Sequence, residues 1–317
     1  MARLTFVSQV AVLVAAGFVV ALSLPARADL LLYEGFDYTT GSDLSTVGSG
    51  GTGWSGSWLD VNGNGVVNVM AGSMGYGNLV TLGNSGYCPQ WDRAGRWLDT
   101  SAGGTFGAAG LLDGAGNVGA DGGTLYFSFL GQTVNVAHFY EMEFHRENVG
   151  DPGRIGGVGD DVDDTHLFLR TAGTQTQFAN GNTGVNLFVV RIDYQAGNDD
   201  VRVYMNPNLY KEPGAPTLTV SAASDMSMDG LAFAAFLNAQ TLRVDELRMG
   251  TTWADVLPTT DRHAVNTGLW SDSTTWGGQA PPTISQNAIV ENGVTVTADS
   301  AGTCNTLTGN GGSFTVN

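Results

Sequence analysis

Residues 185–207, VNLFVVRIDYQAGNDDVRVYMNP, set the strongest constraint on what this chain can fold into. Phe188, Val190, Ile192 and Tyr194 fall on one side of an extended chain, and Leu187, Val189, Arg191 and Asp193 on the other. A period of two is the mark of a strand with one buried face. Gly197, Asn198 and Asp199 then supply residues that tolerate a positive φ, so the chain reverses. The return strand alternates Val201, Val203 and Met205 against Arg202, Tyr204 and Asn206, until Pro207 ends the pairing for want of an N–H. The run predicts the central hairpin of a large β-sandwich.

Further short strands are predicted at 66–69, 78–82, 123–130, 138–145, 166–170, 217–221, 230–237 and 242–248, with loops at 41–57 and in QWDRAGRW, residues 90–97. Glycine fills 46 of the 317 positions, about double ordinary usage. With no Gly-X-Y period, that many glycines means tight turns between short strands. Long amphipathic helical patterns are absent. The fold class is therefore all-β, and so many strands fit one two-sheet antiparallel sandwich better than an immunoglobulin-like domain. LRVDELRMGTTWADVLP, residues 242–258, reads as the closing strand of that domain.

The first 28 residues read as an export signal: Arg3, an uncharged apolar run from Val10 to Leu24, Pro25, and the small-x-small triplet Ala26-Arg27-Ala28. The run is shorter than the ~20 residues a membrane span needs. The expected product is secreted or displayed on the cell surface, with no membrane span in the mature chain. Removing Arg3 and Arg27 from a net charge of −17 leaves −19, which argues against nucleic acid and anionic membranes as partners. Cys88 and Cys304 are the only cysteines; export permits them to pair, but they fall in different expected domains, and two separate thiols is the plainer reading.

After a linker at 259–265, residues 266–317 change character. Trp270 and Trp276 sit in GLWSDSTTWGGQAPP, and short β segments follow at 288–290, 294–296 and 314–316, separated by Asn292-Gly293 and Gly309-Asn310-Gly311-Gly312. This rhythm predicts the beginning of a β-solenoid, in which one coil cannot bury its own apolar face. A truncated repeat region is the expectation.

Three stretches carry a family resemblance: LLYEGFDY with GWSGSW at 31–58, the hairpin at 187–207, and VDELRMGTTWADV at 244–256. Together they resemble the laminin-G-like, concanavalin A-like jelly rolls of exported planctomycete-type bacterial proteins, many of which carry a PEP-CTERM sorting signal. The resemblance covers roughly 30–258, and the stretch after it resembles the opening of surface β-helix proteins. It implies a concanavalin A-like jelly roll on the stem of a β-helical protein. The implied function is a non-catalytic module for adhesion or carbohydrate binding, its partner an extracellular glycan or a surface protein. A glycoside hydrolase or polysaccharide lyase is the alternative, and a structural surface-layer component the second.

The sharpest catalytic candidates are Glu141, Glu143 and His145, which alternation places on one strand face. Laminarinase-type glucanases on the resembled fold use E-x-D-x-E on a strand, so Glu141 would match the nucleophile. Retaining hydrolysis needs two carboxyls about 5–5.5 Å apart, yet His145 stands where the acid/base belongs. The bland reading is a solvated strand face. Trp91 and Trp97 are candidates for stacking on a sugar ring. Asp160, Asp161, Asp163 and Asp164 crowd four carboxylates into one loop, and their repulsion makes calcium a candidate cofactor there. Asp60-Val61-Asn62-Gly63-Asn64-Gly65 resembles a calcium loop, but its twelfth position is Ala71 where a bidentate acid is needed, so a polar turn is the simpler reading. Neither HExxH, a P-loop nor a GxGxxG context is present.

Overall fold

In the computed structural model, which describes residues 30–63, 66–133, 140–160, 166–180, 183–236, 241–300 and 302–316, the alternating run forms the hairpin it predicts. Asn186–Asp193 pairs antiparallel with Asp200–Met205, Val190 opposite Val203 and Ile192 opposite Val201. In chain order the first strands are β1 (Leu30–Glu34), β2 (Trp54–Asp60), β3 (Asn68–Met70), β4 (Ser85–Cys88), β5 (Asp92–Leu98), β6 (Thr124–Thr133), β7 (Tyr140–His145) and β8 (Arg154–Asp160). Then come β9 (His166–Thr171), β10 (Thr174–Asn180), β11 (Asn186–Asp193), β12 (Asp200–Met205), β13 (Leu218–Val220), β14 (Gly230–Ala235) and β15 (Leu242–Gly250).

These strands build two antiparallel sheets packed as a sandwich. The first runs β13-β12-β11-β6-β15-β4-β3, with β1 also on β15; the second runs β10-β9-β8-β7-β14-β5-β2. Their inner faces share one apolar core. Phe127, Phe129, Phe188 and Ile192 come from the first sheet, and Met142, Phe144, Leu169 and Phe233 from the second. Phe127 meets Phe144 edge-on across the interior, ring centres 5.7 Å apart, a favoured aromatic geometry. The all-β, two-sheet reading of the sequence is what the chain adopts.

Several strands depart from expectation. Residues 92–98, read as a loop, form β5. Residues 154–160 and 174–180 were not anticipated as strands at all, because glycines at 156, 157 and 159 and a polar run at 174–177 blur the alternation. Residues 78–82, expected to be a strand, contribute only an isolated bridge from Leu79 to Thr259. Leu187 and Val189, on the second face of β11, are also buried: with Leu130, Tyr126 and Tyr204 they pack beneath Trp253, Val256 and Leu257 of the helical turn that follows β15. The outer face of the first sheet thus has a satellite core.

The C-terminal stretch is built from parallel pairs. β16 (Arg262–Ala264), β17 (Gly268–Leu269), β18 (Asn287–Glu291), β19 (Thr295–Ala298), β20 (Thr306–Asn310) and β21 (Ser313–Val316) make two three-stranded sheets, β16-β18-β20 and β17-β19-β21. Trp270 and Trp276 lie edge to face at 5.0 Å in its small core with Val290 and Val296. The 259–265 segment is packed, not free: Thr259 and Ala264 are buried, and His263 stacks on Tyr210. Both cysteines are free, Cys88 inside the sandwich core.

Candidate functional site

The outer face of the second sheet gathers most of the candidate residues. On β7, Tyr140, Met142 and Phe144 face the core, so alternation turns Glu141, Glu143 and His145 outward. β14 offers only small residues outward beside them, Gly230, Ala232 and Ala234, in register with His145, Glu143 and Glu141. β5, β8 and β9 bring Arg93, Arg154 and Arg170 to the same face.

The result is a buried ion cluster, where a solvated strand face was the plain expectation. Arg93 forks onto Glu143, Nε 2.8 Å from Oε2 and Nη2 donating to Oε1 at 3.1 Å. Arg154 bridges both acids, its Nη1 donating to Glu143 Oε1 at 2.9 Å and to Glu141 Oε2 at 3.3 Å. Arg170 Nε donates to Glu141 Oε1 at 2.8 Å. His145 Nε2 is 2.9 Å from Glu143 Oε2, and its Nδ1 is 2.9 Å from the carbonyl of Asn148. Glu141, Glu143 and His145 have no solvent exposure, and Arg93 almost none.

The β7–β8 loop lies over the His145 end of the cluster, where Asn148 meets His145 and Asp151 pairs with Arg93. A Cβ on Gly95 or Gly230 would collide with Val149 at 2.7 or 2.8 Å, which shows how closely that loop lies on the sheet. Burial, followed by the charge of Glu143, pushes Glu141 up to about 7. For Glu143 burial pulls upward as well, but the hydrogen bond with His145 and the charges of Arg93 and Arg154 outweigh it and hold its carboxyl below the ordinary range. Hydrolysis would need both carboxyls at the substrate. Here arginines hold both carboxyls inside a buried cluster, an arrangement suited to rigidity.

Trp91 and Trp97 take different places. Trp97 is half-buried on the outer face, opposite Gly230 in the β5–β14 pairing. Trp91 precedes β5 with φ 62° and leaves 45 % of its surface in solvent. A bulky residue in the left-handed region is a genuine outlier, held here by the bond that Asn62 Nδ2 donates to its carbonyl. Asp161, Asp163 and Asp164 lie outside the described residues, and Asp160 closes β8. Among the described residues no group of three His, Cys, Asp or Glu is placed to hold a metal. Asp60 accepts from Gly63 N at 2.7 Å, the bond of a plain turn. The arginines of the cluster escaped the sequence reading. Their signal was the out-facing pair Arg93 and Gly95 in a run read as loop.

A second buried charge group lies at β15, where the strand changes partner from β4 to β1 and bulges between Asp245 and Arg248. Asp245 accepts from Ser73 Oγ at 2.6 Å and from Met74 N at 2.7 Å, while Glu246, at φ 54°, pairs with Arg248. Burial pushes Asp245 up to about 8.

The sequence matches no family model and no curated protein. Solved structures do resemble the chain. One is an endo-β-1,4-glucuronan lyase from the fungus Trichoderma reesei: 12 % identity, TM-score 0.43, covering 73 % of this chain and 99 % of that one. Another is domain 4 of AbnA, a GH43 extracellular arabinanase from Geobacillus stearothermophilus: 14 % identity, TM-score 0.40, 72 % and 97 %. A third is lectin I-B4 from Griffonia simplicifolia: 10 % identity, TM-score 0.34, 55 % and 90 %. The likeness is one of strand-built sandwich folds, and nothing about ligand or activity follows from it.

Proposed function

We propose that this chain is an exported, non-catalytic carbohydrate-binding module whose binding surface includes Trp91, the exposed residue that leads into β5 of the second sheet. One observation carries the reading: Trp91, immediately before β5, combines a strained backbone with a large exposed side chain. Backbone strain of this kind costs about 1–3 kcal/mol and clusters at functional sites. An exposed aromatic ring offers a flat apolar platform for a sugar. Binding is favoured over hydrolysis because Glu141 and Glu143 are held by arginines away from any ligand. The parallel pairs of the C-terminal stretch support its reading as the start of a β-solenoid stem.

A glycan array probed with the full chain tests this. The expected result is a restricted set of positive glycans that Trp91→Ala loses while its melting midpoint stays within about 1 °C, since an exposed side chain contributes little to stability. Running the array with calcium and with a chelator tests calcium on the 160–164 loop. A blank array in both conditions contradicts the glycan reading.

A further inference from the structure

A pocket of about 310 Å³ opens at the end of β1, away from the ion cluster, with Tyr33, Tyr38, Asp37 and Leu82 in its lining. That volume is at the low end of small-molecule sites, which run about 300–1,000 Å³. Its aromatic walls are fixed from behind. Tyr38 donates its hydroxyl to Glu34 Oε2 at 2.8 Å and Tyr33 donates to Glu246 Oε1 at 3.3 Å, both acids being buried. Arg248, which does not line the pocket, sits over the Tyr33 ring at 5.0 Å. Both hydroxyls are thereby held in place, and both tyrosines line the pocket.

Glycines keep the space open. A Cβ on Gly35 would stand 2.3 Å from the Tyr33 hydroxyl, and one on Gly50 would stand 2.9 Å from the Tyr38 ring. Two acids line the pocket, and they differ. Glu34 is saturated by donors from Phe36 N, Tyr38, Trp58 Nε1 and Arg96. Asp37 is exposed, and no described residue hydrogen-bonds or pairs with its carboxylate. Leu82, 60 % exposed, adds apolar surface at the mouth.

We infer that this pocket takes a single neutral pyranose residue, its apolar ring face against the tyrosines and two hydroxyls donating to Asp37. The lining suits such a ligand. A lone free carboxylate is too few ligands for a cation and repels anions, while fixed aromatic walls with one acceptor match a compact polyol. The inference rests on the glycan-binding reading for its ligand class, but its place is separate from Trp91.

The test is a magnetic-resonance titration of the nitrogen-15-labelled full chain with D-glucose, D-galactose, D-mannose and N-acetylglucosamine, following the amides of Gly35, Gly50, Gly51 and Gly83. At least one sugar is expected to shift these amides saturably. Asp37→Asn, which removes no internal contact, should weaken that sugar at least tenfold, the value of a hydrogen bond to a charged group. Trp91→Ala should leave the isotherm unchanged. No saturable shift with any of the four sugars, or equal affinity in Asp37→Asn, overturns the inference. If the array still shows Trp91-dependent binding in that case, the site fails alone; if the array is blank as well, both readings fail.

Discussion

At the scale of single residues, the most consequential side chains are charged and inaccessible. Removing one partner of a buried ion pair costs about 3–5 kcal/mol because the other charge is stranded. Because Glu143 keeps Arg154 and His145 as partners, Arg93→Ala should destabilise the chain by up to that amount in chemical denaturation, and Arg93→Met with Glu143→Gln should recover a large part of it. Equal losses in the two variants would mean that packing of the Arg93 stem, not its charge, is what the fold needs. Asp245 gives a pH dependence of definite sign. Between the ordinary aspartate value of 3.8 and its folded value of about 8, the unfolded chain has released a proton that the folded chain keeps. Stability must then fall as pH rises through that window, by at most about 1.4 kcal/mol per pH unit. Glu141, raised to about 7, acts in the same direction; Glu143, lowered, acts only below the ordinary glutamate range. Denaturation midpoints should drop between about pH 5.5 and pH 8, and Asp245→Asn should flatten the drop. A midpoint that climbs over that interval contradicts the burial of a protonated Asp245.

At the scale of elements, legibility followed the clarity of alternation. The β11–β12 hairpin was readable because its inward residues are Phe, Val and Ile. β7 was readable too, and its period of two correctly grouped Glu141, Glu143 and His145. What the period could not tell was whether that face met water, because the cover comes from the β7–β8 loop and from strands distant in sequence. β5 was hidden by its content: Asp92, Arg93 and Arg96 look like a surface loop, yet all three are buried. β8 was hidden by glycines that its neighbours require. A Cβ on Gly159 would lie 1.8 Å from the Tyr140 carbonyl, and no rotamer change relieves a clash with backbone. Gly159→Ala should destabilise the sandwich by about 1–3 kcal/mol, read as a lower midpoint at unchanged denaturant slope. Wild-type stability in this variant would mean that β7 and β8 do not pair in the observed register.

At the scale of the whole molecule, the two-sheet architecture was legible from glycine content, strand rhythm and one hairpin, since few folds accommodate so many short strands. The second core on the outer face of the first sheet was not. It is assembled from β6, β11, the loop near Leu79 and the turn at Trp253, and no single window contains it. The same holds for the pocket at Tyr33 and Tyr38, where the Tyr33 wall is fixed by Glu246 more than 200 residues away. The molecule that results has an apolar interior, one sheet face sealed by a satellite core and the other faced with ion-paired charge. A binding module leaves its glycan intact. The direct measurement is the chain length of a captured glycan, followed by size-exclusion chromatography during prolonged incubation with the full chain. Binding without catalysis predicts an unchanged elution profile; progressive shortening that Glu141→Gln abolishes would contradict it.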